Sequence, residues 1–306
     1  MDIFTIILSV LGLSLFEIIS SIDNAIINAE VLTTMKPKAR RWFLVWGIFS
    51  GVFLVRGLLP LLIVFFMAPG KGLVGAFLAS FSGDKEIAHL IESSAPVLLM
   101  GGGVFLVFLF FHWIFLEEKY FGLPGERFIQ RQGVWFYAIV SIILAIIVWE
   151  SIDSRPILAF SAVVGSTAFF IVHGFRQQAE IAEKKLLDKS SHMSDISKIL
   201  YLEVIDATFS IDGVLGAFAF TLSVPIILLG NGLGAIVLRQ LTISNIDRIK
   251  KYHYLKNGAM YSILFLGSIM ILDSFGFHIP HWLSPVLTFS TVAYFFYKSV
   301  KTVEAK

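Results

Sequence analysis

The chain has no cysteine among its 306 residues, and charged residues make up only 15% of it. The first absence excludes disulfides, thiolate nucleophiles and thiolate metal sites, and leaves redox compartment unread. The scarcity of charge excludes an ordinary soluble domain, in which about a quarter of residues are charged. A net charge of +2 with no basic patch interleaved with aromatics gives no reason to expect a nucleic-acid partner. The N-terminal Met1-Asp2-Ile3 lacks the basic leader of a cleaved signal peptide, so the first apolar run reads as a retained span.

Apolar sequence takes the place of charge. Hydrophobic residues reach 57%, mean hydropathy is +0.82, and runs of about 20 apolar residues, the length that crosses a bilayer core, follow one another along the chain. The pattern predicts an all-α polytopic membrane protein whose partner is the lipid bilayer. Its nine spans fall at about 4–30, 42–67, 95–116, 134–150, 156–175, 198–222, 225–245, 257–276 and 282–299. Alternating these across a membrane sorts the basic residues. Lys36, Lys38, Arg40, Arg41, Lys119, Arg127, Arg131, Arg176, Lys184, Lys185, Lys189, Lys198, Arg248, Lys250, Lys251, Lys256, Lys298, Lys301 and Lys306 collect on one side; Lys71, Lys85 and Arg155 fall on the other. By the positive-inside rule the N-terminus is outside and the C-terminus cytoplasmic, in a multi-pass protein of the cell (inner or plasma) membrane. The connector at 176–197 reads as a polar helical linker with Ser194 as a cap, and Leu73–Phe81 as a stretch that lies on the membrane surface.

Against this background two acidic motifs stand out: Glu17-Ile-Ile-Ser-Ser21-Ile-Asp23-Asn24 and Asp206-Ala-Thr-Phe-Ser210-Ile-Asp212-Gly213. A carboxylate at mid-membrane costs roughly 2.5–3.5 kcal/mol on insertion scales, so four at matched spacing mark a site. In the predicted topology the motifs run in opposite directions, as inverted-topology repeats would. Arg56 and Arg239 support the duplication, each about 21–22 Å from its own entry face at 1.5 Å per residue. The whole chain is then one transmembrane domain. Residues 1–116 form a first repeat half, 117–197 connecting helices and the cytoplasmic linker, and 198–306 a second half.

Offsets of 0, 4, 7 and 11 put Glu17, Ser21, Asn24 and Asn28 on one helical stripe, and Asp206, Ser210 and Gly213 repeat most of it. Asp23 and Asp212 point about 120° away, so a shared ligand requires broken helices at the site or a cavity lined by several helices. Glu203 adds a carboxylate near the same face. Carboxylate, amide and hydroxyl oxygens suit Mg²⁺, Ca²⁺ or Mn²⁺, and none of the seven His lies in either motif. The predicted metal set is Glu17, Ser21, Asp23, Asn24, Glu203, Asp206, Ser210 and Asp212, with Arg56 and Arg239 balancing charge. Acids crowded without a cation would take up protons, which offers a coupling ion. The blander reading makes the acids buried struts for Arg56 and Arg239.

Weaker signals are Glu150, Asp153 and Arg155 at a helix end, Asp273 with His278 and His281, and Asn231 within a span. The 30 Phe and 6 Trp read as lipid-facing bulk and interfacial anchors. An intramembrane aspartyl protease is disfavoured because neither Asp23 nor Asp212 sits in a Gly-x-Gly-Asp sequence, so no enzyme activity is expected.

The residues Glu17, Ser21-Ile-Asp23-Asn24-Ala25, Arg40-Arg41, Trp46-Gly47 and Arg56 resemble the TerC family of integral membrane proteins. So do Tyr201-Leu-Glu203, Asp206 to Gly213, and Gly230-Asn231-Gly-Leu-Gly234 through Arg239. The Asp212-Gly213 pair and the run Leu59–Val64 resemble a TerC-like branch of unknown function; more typical members carry Asp-Ser there. The resemblance implies inverted repeats of the LysE-like transporter group and export of a divalent cation. Mn²⁺ is the ion most associated with such proteins, and Ca²⁺ comes second through related exchangers. It also implies the alternative of a non-transporting metal-binding scaffold or sensor linked to tellurite stress or to metal supply for exported enzymes. Amino-acid export, found elsewhere in that group, is disfavoured by the acids. Asp23→Asn or Asp212→Asn is expected to abolish flux.

Overall fold

A computed structural model describes residues 2–47, 58, 85–119, 121–153, 155–187, 194–249 and 251–304. Every regular element in them is helical. In chain order these are α1 (Ile3–Ser20), α2 (Ile22–Thr33), α3 (Pro37–Trp42), a π-helical turn (Phe43–Gly47) and α4 (Lys85–Leu116). After them come α5 (Glu126–Gln130), α6 (Trp135–Ile152), α7 (Pro156–Leu187), α8 (Asp195–Ala217), α9 (Val224–Ile249), α10 (Leu255–Ser274) and α11 (Leu283–Glu304). The predicted span 42–67, the stretch Leu73–Phe81 and Arg56 lie largely or wholly outside the described residues.

Six of the described helices are long and apolar enough to cross a membrane: α1, α4 from Glu92, α6, α7 to Gln178, α9 to Leu241, and α10. This is a multi-pass membrane protein. Helices α8 and α11 coincide with two further expected spans but are more polar, α8 because Glu203, Asp206 and Asp212 interrupt it. With lipid as apolar as leucine, helices associate through close fit, and small residues mark the crossings. A Cβ on Gly165 of α7 would collide with the Gly101 carbonyl of α4, and one on Gly103 would lie 2.8 Å from the Gly267 carbonyl of α10.

The aromatic residues divide differently from the sequence expectation. Trp113, Phe16, Phe105, Phe108, Phe136, Phe169 and Phe220 are fully buried between helices, so much of the large aromatic bulk packs the core and does not face lipid. The edge-to-face pairs Phe105–Phe169 and Phe108–Phe169, with centroids 5.9 and 5.8 Å apart, explain why. Trp42, Trp46, Trp135, Trp149 and Trp282 are exposed, as interfacial anchors are.

Candidate functional site: a polar cavity between the two motifs

The first motif spans an interruption. Helix α1 ends at Ser20, Ser21 leaves helical geometry (φ −98°, ψ 4°), and α2 begins at Ile22. The second motif does not break: α8 runs unbroken from Asp195 to Ala217, with Ser194 capping its start. In place of the broken helices expected at the site, the first motif has this single-residue interruption, bridged by Ser21 N–H to the Glu17 carbonyl (3.1 Å) and Ala25 N–H to the Ser21 carbonyl (3.0 Å), and the second has none. The Ser210 hydroxyl donates to the Asp206 carbonyl at 2.6 Å, bonding back into its own helix, whereas the Ser21 hydroxyl donates to the Glu17 carboxylate.

The two motif segments lie side by side and antiparallel. Gly213 faces Glu17, Asn24 Nδ2 donates to Asp206 Oδ1, and Lys198 Nζ donates to Thr34 Oγ1 at 2.9 Å. As numbers rise along α1 and α2 they fall along α8. Helix α9 runs parallel to α1: Ser14 Oγ donates to the Gly230 carbonyl at 2.9 Å, and a Cβ on Gly234 would come within 2.7 Å of Glu17 Cβ. Small residues let the flanking segments reach the acid-bearing helices. Gly47 of the π-helical turn performs this for Glu203, whose carboxylate a Cβ there would strike.

Between these elements is a cavity of about 60 Å³, lined by Ser21, Asn24, Asn28, Glu203, Asp206 and Arg239 with Ala25, Leu32, Phe43, Leu44, Gly47, Ala235 and Leu238. That is several times the ~10–15 Å³ one water needs. No His lines it. The Oδ1 atoms of Asn24 and Asn28 are buried there without a hydrogen-bond partner among the described residues, an arrangement that calls for a ligand or water. Glu17, almost wholly buried, accepts from Ser21 Oγ at 2.9 Å and so stands directly behind the cavity wall.

The remaining acids have cations of their own. Asp23 pairs with Lys256 at 3.0 Å, and the same ammonium pairs with Glu117 at 2.7 Å. Asp212 pairs with Arg176 at 3.4 Å. Of the predicted set, Ser21, Asn24, Glu203, Asp206 and Arg239 share the cavity; Glu17 and Ser210 adjoin it; Asp23 and Asp212 turn out of it. The 120° offset between the first and second acids of each motif persists because Ser21 is too short an interruption to undo it. Among the described residues no three His, Asp or Glu side chains are grouped as a preformed metal cage.

Sequence reasoning missed Lys256, Glu117 and Arg176, reading the two bases as connector charges. The signal was their position, just within or beyond an apolar run, where a charge needs a partner. It also missed Glu126, buried in α5 and accepting from Asn257 Nδ2 at 2.7 Å. Asn231 is buried in α9, and neither atom of its side-chain amide finds a partner among the described residues. Asp273 and His281 line a separate cavity at the far ends of α8 and α10.

Compared with protein families, residues 22–305 match the one described as "Protein of unknown function (DUF475)". The chain belongs to the DUF475 family. No curated protein and no solved structure matches it significantly. The DUF475 match begins after residues 17–21 of the first motif, and it covers Asp23, Asn24, the whole second motif and every cavity-lining residue except Ser21.

Proposed function

We propose that this protein moves a divalent metal cation out of the cytoplasm, with Mn²⁺ the favoured substrate and Ca²⁺ the second. The observation that carries the reading is the cavity at the crossing of the two motifs, where the carboxylates of Glu203 and Asp206 meet the partnerless amide oxygens of Asn24 and Asn28. Oxygen donors alone, two of them anionic, suit a hard dication, whose charge two carboxylates balance. Ser21 adds a hydroxyl. Arg239, on the wall, balances the same acids when the ion has left. The resemblance to TerC proteins supports the choice of Mn²⁺.

The reading includes nine spans arranged as inverted repeats in the cell membrane, N-terminus outside and C-terminus in the cytoplasm. The antiparallel course of the motifs supports it. Asp23–Lys256–Glu117 and Asp212–Arg176 act as latches: each holds a motif's second acid to a different helix and must rearrange if the halves rock about the site. Protons, exchanged at the carboxylates, serve as the coupling ion.

The test is Mn²⁺ flux into proteoliposomes together with equilibrium Mn²⁺ binding. Glu203→Gln and Asp206→Asn should each weaken binding by more than about tenfold and stop flux. Asp23→Asn should stop flux with binding retained. Wild-type binding in both cavity variants would remove the cation from this cavity; binding without flux in the wild-type protein would leave a sensor or scaffold.

A further inference from the structure

Between α3 and the start of α8 lies a second, larger groove of about 680 Å³. Its walls are Ala39 and Trp42 of α3 and Ile196, Ile199 and Leu200 of α8, with Lys36, Lys38, Ser194 and Asp195 completing the lining. Ser194 is engaged as the α8 cap, accepting from the Ser197 N–H at 3.2 Å, and Asp195 sits in the first turn, where the helix dipole favours an anion. The walls are conspicuously apolar for a surface this exposed: Trp42 is 51% exposed, Ile196 72% and Leu200 62%. The basic edge continues along α3 through the exposed Arg40 and Arg41.

We propose that this groove binds an anionic phospholipid, its acyl chain against Trp42, Ile196 and Leu200 and its phosphate against Lys36 and Lys38. Charge complementarity selects the occupant. An apolar wall alone would accept any lipid, but the two lysines, against the single acid Asp195, leave the lining net positive and add an attraction that a zwitterionic headgroup does not satisfy. A tryptophan half in water beside clustered basic residues is the pattern of a cytoplasmic membrane interface, where anionic lipids concentrate basic segments.

The groove and the cation cavity are lined by consecutive stretches of chain. Lys36, Lys38, Ala39 and Trp42 line the groove, and the next turn, Phe43, Leu44 and Gly47, lines the cavity. Ile199 is common to the groove and to the buried cluster of Val31, Leu32, Met35, Phe43, Leu202 and Ile205 that joins α2 to α8. A lipid seated here braces α3 against α8 and thereby holds the turn that carries Gly47 against Glu203. The binding itself stands without the transport reading, and its test needs no metal.

The full-length protein, delipidated in detergent, is offered dioleoyl phosphatidylglycerol or dioleoyl phosphatidylcholine, and bound lipid is counted by native mass spectrometry. Phosphatidylglycerol should be retained over phosphatidylcholine, and Lys36→Gln/Lys38→Gln should cut its affinity by about tenfold or more, as expected from about one kilocalorie per basic residue. Lys298→Gln/Lys301→Gln, on another helix, should leave it unchanged. Quenching by brominated phosphatidylglycerol should include a component lost in Trp42→Phe. Equal retention of the two lipids, equal losses in the two double variants, or competition by inorganic phosphate as strong as by the lipid would each overturn the proposal. The Gln variants remove the charge and keep a polar, flexible side chain, and their monodispersity in size-exclusion chromatography separates lost binding from lost fold.

Discussion

At the residue scale, what distinguishes the acids is the partner each one finds. Asp23 and Asp212 meet cations, whereas Glu203 and Asp206 line a cavity with amides. The Asp23–Lys256–Glu117 group is 39–47% exposed at its side chains, so it contributes little to stability, under about 1 kcal/mol for such pairs. Lys256→Met should therefore leave the melting temperature nearly unchanged while altering Mn²⁺ flux; a large fall in melting temperature with normal flux per folded molecule would make the group structural. Gly213 offers a second check. A Cβ there would sit 3.4 Å from Glu17 Oε2, an ordinary contact, so Gly213→Ser should fold normally and bring a hydroxyl to that carboxylate. Loss of the folded protein would show the contact to be tighter than drawn. The stripe Ser21, Asn24, Asn28 was legible from helical offsets alone, because a helix preserves them. The bases that engage Asp23 and Asp212 were not, since Lys256 and Arg176 come from helices 233 and 36 positions away in the chain and no local pattern encodes that meeting.

At the element scale, glycine decides how closely the helices approach. Gly165 of α7 sits on the Gly101 carbonyl with no room for a methyl group, while Gly174 of the same helix has nothing within 4 Å. Gly165→Val should push α4 and α7 apart and destabilise by about 1–3 kcal/mol. Gly174→Ala should stabilise by about 1 kcal/mol through helix propensity alone. Thermal melts in detergent check both, and similar losses in the two would mean that the crossing does not depend on Gly165. Helix positions could be read from apolar runs because length and composition set them. The interruption at Ser21 without a counterpart at Ser210 could not: both motifs carry the same Ser-Ile-Asp, yet the Ser21 hydroxyl reaches the Glu17 carboxylate and the Ser210 hydroxyl the Asp206 carbonyl.

At the scale of the whole molecule, apolar content made a multi-pass architecture readable from the sequence, and the side on which bases collect gives the expected orientation. The burial of Trp113 and its neighbouring phenylalanines was not readable, because lipid and protein interior are equally apolar and composition does not tell them apart. Orientation has a direct test, made clean by the missing cysteines. In intact cells a membrane-impermeant maleimide should label Arg155→Cys and should reach Lys301→Cys only after permeabilisation. The reverse pattern would invert the direction of transport proposed here.

One asymmetry has a mechanical result. A rod loosened at one residue, Ser21, stands against an uninterrupted one, so the pair resembles a lever on a post more than two matched arms. Spin labels on residues 22–33 should record most of the displacement between ion-loaded and ion-free forms, while those on 195–217 stay still.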